Sequence, residues 1–152
     1  MKIKLLIKTI ICCCILFLSG CNSSQKVYSC RCRVNNTDKI VLRTTGYGNT
    51  ERNAELDACR YAIEQILFRG IPDSDLHTPL ISTNEQEVRT SNSNYFKELF
   101  DKGRYASFIS FAPIVESGVK RGTHWVVCDV TVNLRALRSD LENNKIIRKF
   151  GY

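Results

Sequence analysis

The segment that most constrains this chain is ERNAELDACRYAIEQILFR, residues 51–69. Leu56, Cys59, Ile63, Ile66 and Leu67 recur at helical spacing as one apolar stripe, and Ala54, Ala58 and Ala62 form a ridge of small side chains beside it. Such a ridge lets another backbone come close. Asn49 or Thr50 offers a side-chain oxygen as N-cap, while Gly70 followed by Pro72 supplies the stop. A helix with a stripe of this kind needs an apolar surface to cover, and the flanking segments provide one.

Those flanking segments alternate with the period of two that marks half-buried strands. Over 27–34, Tyr28, Cys30, Cys32 and Val34 are predicted to share one side and Ser29, Arg31 and Arg33 the other. NNTD reads as a turn into a second strand, KIVLRTTG, which the glycines of GYGNT are expected to break. Further on, a short helix over 95–102 precedes RYASFISFAPIVE, a weakly alternating strand, and SGVKRGT reads as a loop. HWVVCDVTVNL places Val126, Cys128, Val130 and Val132 on one face, and a last helix over 134–143 carries Leu134, Leu137 and Leu141 before the basic tail KIIRKFGY. The order predicts an α+β fold: an antiparallel sheet of about four strands with helices packed on one face. Residues 71–93 are polar and turn-rich, and are read as a long loop. Its apolar islands Leu76, Pro79, Leu80 and Ile81 make it the candidate partner-binding segment, with stapling of the loop onto the domain as the alternative.

The N-terminus carries a different signal. Lys2, Lys4 and Lys8 precede an apolar run over 10–18 and then LSGC, ending at Cys21. Nine apolar residues cover only about half of a ~30 Å hydrocarbon core, so the run reads as a signal peptide rather than a membrane span. LSGC resembles the lipobox cut by bacterial lipoprotein signal peptidase just before an acylated cysteine. The expected organisation is a lipoprotein signal peptide over 1–20, a lipidated tether over 21–26 beginning at Cys21, and a single α+β domain over 27–152. Cys12, Cys13 and Cys14 then leave with the signal. Without residues 1–20, Lys plus Arg falls from 22 to 19 against 15 acidic residues, so the formal charge drops from +7 to +4. With no basic run longer than the pair Lys120-Arg121, no nucleic-acid partner is expected.

Four cysteines remain: Cys30, Cys32, Cys59 and Cys128, all phased toward the interior and read as buried free thiols or as contributing one disulfide. They lack the two-residue spacing of zinc ligands, and no metal or cofactor is expected. GYGNTE sits where a phosphate-cradling loop would, but Glu51 occupies the third glycine position, which favours a simple turn. His77 and His124 have no evident partner, and no hydrolase, zinc-protease or nucleotide-loop motif occurs. An enzyme reading has His124 and Asp129 as its nearest acid-base candidates.

The alanine ridge of the first helix, and the later strand, gap and strand ending in Val126, Val130 and Val132 before a leucine-bearing helix, resemble the Lpp-twenty-type envelope lipoproteins and the related N-terminal domain of flagellar assembly protein T. The likeness covers about 41–141. It implies a small adaptor domain at the cell envelope with no catalytic residues to carry over. The expectation is therefore a non-catalytic envelope lipoprotein that docks on or helps assemble a larger structure, held through acyl chains on Cys21, with envelope proteins as partners. It has no evident small-molecule substrate, and the outer membrane is its expected location, with the domain in the periplasm. An envelope enzyme whose site converges only in the fold is the alternative.

Overall fold

The computed structural model describes residues 25–149; residues 1–24, which include the segment read as a signal peptide and Cys21, and the last three residues lie outside the described residues. The fold is α+β. Strands β1 (Cys30–Asn35), β2 (Lys39–Gly48), β3 (Ile109–Phe111), β4 (Ile114–Lys120) and β5 (Thr123–Asn133) form one antiparallel sheet. The order is β1-β2-β5, and the far edge of β5 is shared by β3 and β4. Helix α1 (Glu51–Phe68) lies across the sheet, α2 (Glu85–Ser91) and α3 (Ser93–Phe96) follow, and α4 (Leu134–Asn143) continues from β5.

One face of the sheet carries the core. Ile40, Leu42, Thr44 and Gly46 of β2 stand opposite Val132, Val130, Cys128 and Val126 of β5. Under α1 the apolar side chains among them join Ala54, Ala58, Ala62, Ile63, Ile66 and Leu67 in a single buried cluster with Leu134, Leu137 and Leu141 of α4. Thr50 caps α1, its hydroxyl accepting from the Asn53 N–H at 3.1 Å. The alanine ridge makes the closest approach, because a methyl group at Gly46 would collide with the backbone of Ala54 and Ala58. Leu56, expected in the buried stripe, is only half-buried.

Several boundaries differ from the sequence expectation, each for a local reason. β2 does not break at Gly46 but runs to Gly48; neither glycine has a positive φ, and both serve the close helix contact. β1 begins at Cys30 rather than 27, and a bulge between Cys32 and Val34 turns Val34 away from the cysteine side, so that it faces Val41. The stretch after Gly103 begins with a 3₁₀ turn (Arg104–Phe108) before β3, and Pro113 separates β3 from β4. SGVKRGT is mostly strand: β4 continues to Lys120, and only Arg121 and Gly122, with φ of 52° and 77°, make the turn. Two positive-φ residues in a two-residue connection match the twist of the strands they join.

The segment 71–93 also departs from a plain loop. Asn84 accepts from the N–H groups of Gln86 and Glu87 and starts α2. Arg89 of α2 lies 4.5 Å from the Phe68 ring centroid and 4.9 Å from that of Phe100, and bonds Glu85 at 2.9 Å. Burial works to raise the Glu85 pKa, and the guanidinium groups of Arg69 and Arg89 more than offset it, leaving the carboxyl below its ordinary value.

Candidate functional site

The second face of the sheet is uncovered, and its register can be read strand by strand. Val34, Val41, Thr131 and Phe111 form one row across β1, β2, β5 and β3. Val34 is 54% and Phe111 66% exposed. The neighbouring row is Arg31, Arg43 and Asp129. Arg43 donates from Nε and Nη2 to the two Asp129 carboxylate oxygens at 2.8 and 2.7 Å, a forked pair that fixes both side chains flat on the sheet. The Arg43 fork, with Arg33 nearby, holds the Asp129 carboxyl below its ordinary pKa against the opposing effect of burial. Further along come Thr45, Val127 and Glu116, then Tyr47, Trp125 and Gly118. None of these residues belongs to the apolar core cluster, and only Thr45, whose hydroxyl meets that of Ser29 at 2.7 Å, is buried. An antiparallel sheet with one solvated face ordinarily alternates apolar inside and polar outside. Here valines, a phenylalanine and a tryptophan stand on the open side around one ion pair, with Arg31 and Arg33 exposed along the β1 edge. Chemically, this is a surface for contact, with apolar area to bury and a fixed charge pair to set orientation.

The residues singled out from sequence fall elsewhere. Cys21 is outside the described residues. Cys59 and Cys128 are buried, Cys30 and Cys32 are half-buried, and all four are free thiols. Cys30 and Cys128 both stand opposite Thr44, one on each side of it, so two strand spacings of about 4.8 Å separate them. That exceeds the reach of a disulfide, which needs Cα atoms within about 7 Å. Burial pushes the Cys30 and Cys128 thiols up to about 12 and Cys59 up to about 11, which keeps them protonated and poor nucleophiles at neutral pH.

In the segment read as partner-binding, Ile81 is buried, and Leu76 and Leu80 pack half-buried against the core. The N–H groups of Leu80 and Ile81 donate to Ile66 and Leu67 carbonyls at the end of α1, at 3.1 and 2.9 Å. Pro79 beside them is half-buried. These residues staple the segment to the helix. His124 and Asp129 are not brought together: they lie on opposite faces of β5, five residues and about 16 Å apart, with Asp129 engaged by Arg43. His77 is exposed. Among the described residues, no three His, Cys, Asp or Glu side chains converge as a metal site would require, and no helix is long and apolar enough to cross a membrane.

The open face escaped the sequence reading because the bulge at Arg33 reverses the phase of Val34. The available signal was the outward Val127 of HWVVCDVTVNL, an apolar residue where simple alternation asks for a polar one. The chain matches no family model, no curated protein and no solved structure.

Proposed function

We propose that this chain is a non-catalytic bacterial envelope lipoprotein, held through acyl chains on Cys21, whose domain docks on or helps assemble a larger envelope structure through the open face of its sheet. The observation that carries the docking role is the uncovered row Val34, Val41, Thr131 and Phe111 beside the Arg43–Asp129 pair. Exposed arginines at positions 31 and 33 favour an envelope protein that presents an apolar surface with an acidic rim. The LSGC sequence after a short apolar run supports lipidation, and Asn22 in place of an aspartate directly after Cys21 favours the outer membrane, with the domain in the periplasm.

A photo-crosslinking amino acid at Phe111, compared with one at exposed Thr78 in the segment bonded to the end of α1, tests the docking role in intact cells. Position 111 is expected to give a discrete cross-linked protein, and Val34→Glu is expected to remove it while leaving the melting temperature near that of the parent. Cross-links that are absent at 111, or that survive Val34→Glu unchanged, would contradict the role given to this face.

A further inference from the structure

The end of the sheet where the chain enters at Gln25 has its own composition. Gln25, Val27, Tyr47, Lys120, Thr123 and Trp125 line a cleft of about 370 Å³. The Tyr47 hydroxyl ties the entering chain down: it donates to the Val27 carbonyl at 2.7 Å and accepts from the Val27 N–H at 3.1 Å. Tyr28 packs edge-on against Tyr47, with ring centroids 5.2 Å apart. Trp125 lies over Gly118, where a Cβ would come within 2.8 Å of the indole. Val27 is 69% exposed, and Val119, at the same hairpin end but on the opposite face from the cleft, is 60% exposed. No carboxylate lines the cleft, and the nearby Asp57 is occupied, accepting from the Tyr28 hydroxyl and the Tyr47 N–H at 2.9 Å each.

Amphipathic aromatics, exposed valines and lysines concentrated at one end form the composition of a surface seated at a membrane–water interface. The reach of the tether points the same way. Four residue steps from Cys21 to Gln25 span at most about 14 Å whatever their conformation. A headgroup layer is about 5–8 Å deep, so this end cannot stand far from a bilayer that holds the acyl chains. Lys26 and Lys120 are exposed there and match lipid phosphates in charge.

We propose that the Val27–Tyr47–Trp125–Lys120 end of the sheet seats in the phospholipid headgroup layer, so that the anchor fixes the orientation of the domain as well as its location. This rests on the acylation of Cys21 proposed above. The open sheet face then stands roughly upright on the membrane, with its Val34–Phe111 row at the end of the strands away from the lipid.

Trp125 is the chain's single tryptophan and therefore a direct reporter. The full-length protein, processed in cells, is reconstituted into vesicles of phosphatidylethanolamine with a minority of phosphatidylglycerol, after palmitate labelling has established that Cys21 is acylated. The expected result is blue-shifted Trp125 emission, strong quenching by lipids brominated near the headgroup, and loss of quenching by aqueous iodide. The double variant Val27→Glu/Val119→Glu changes two exposed side chains. It is expected to remain acylated and vesicle-bound while Trp125 regains iodide quenching. An acylated, vesicle-bound protein whose Trp125 stays open to iodide and is untouched by brominated lipid overturns the seating and leaves the lipoprotein reading standing. Shielding found only in intact envelopes, not in pure lipid, assigns this end to a protein partner and also overturns it. Absence of acylation removes both readings together.

Discussion

A methyl group at position 46 would meet the backbone of α1 at Ala54 and Ala58, so the helix and β2 approach as closely as a strand glycine allows. Gly46→Ala is expected to destabilise the domain by roughly 3 kcal/mol, because neither backbone can give way without shifting the whole helix. Gly122→Ala meets no atom within 4 Å and is opposed only by its φ of 77°, so it should cost about 1 kcal/mol. Denaturant midpoints of the two variants should therefore differ clearly, and equal midpoints would contradict the packing. On the opposite face, the Arg43 fork holds the Asp129 carboxyl below its ordinary pKa. A carboxyl lowered by folding contributes stability that is complete above its unfolded value of about 3.9 and is lost as pH falls through the folded value. Asp129→Asn should accordingly lower the melting temperature at neutral pH, and the gap should close as the pH is taken down through the lowered folded value. A gap that stays constant into acid would assign the effect to something other than the ion pair.

At the scale of elements, α1, β2, β5 and α4 were legible because each carries a strong period and a clear cap or stop. Leu134, Leu137 and Leu141 are buried as their spacing requires, and so are Val126, Cys128, Val130 and Val132. Leu56 was assigned to the same stripe but lies toward its margin, since the alanine ridge, rather than the stripe alone, meets the sheet. Ile63→Ala is therefore expected to cost about 2–5 kcal/mol, and Leu56→Ala distinctly less. Thermal denaturation of the pair tests the phase of the helix, and a larger loss at Leu56 would reverse it. Less was legible where tertiary contacts set local structure. α2 is only seven residues long and its sequence has no apolar stripe; it is held by the Asn84 cap and by Arg89 against Phe68, Phe96 and Phe100, partners that sequence spacing does not bring together. The four-residue row on the open face depends on the bulge at Arg33 and on β3, a three-residue strand that alternation alone does not resolve.

As a whole molecule, the domain has one face filled by helices and one left open, with an aromatic and basic end where the chain comes from Cys21. The thiols, the histidines and the stapled 71–93 segment, the features most conspicuous in the sequence, are spread between the interior, the sheet ends and the surface and do not assemble into a common site. The proposed function therefore rests on surface and anchor together: a contact face gains by being held at a fixed height and orientation, and acylation would supply that constraint. Two or three acyl chains, at about 0.8 kcal/mol per buried methylene, would make the attachment effectively permanent. Metabolic labelling with palmitate, comparing the natural chain with Cys21→Ser, tests the anchor most directly. The expected result is a labelled, shortened protein that sediments with membranes, and an unlabelled, unprocessed Cys21→Ser product. A Cys21→Ser chain that still takes up label, or a natural chain that takes up none, would contradict it.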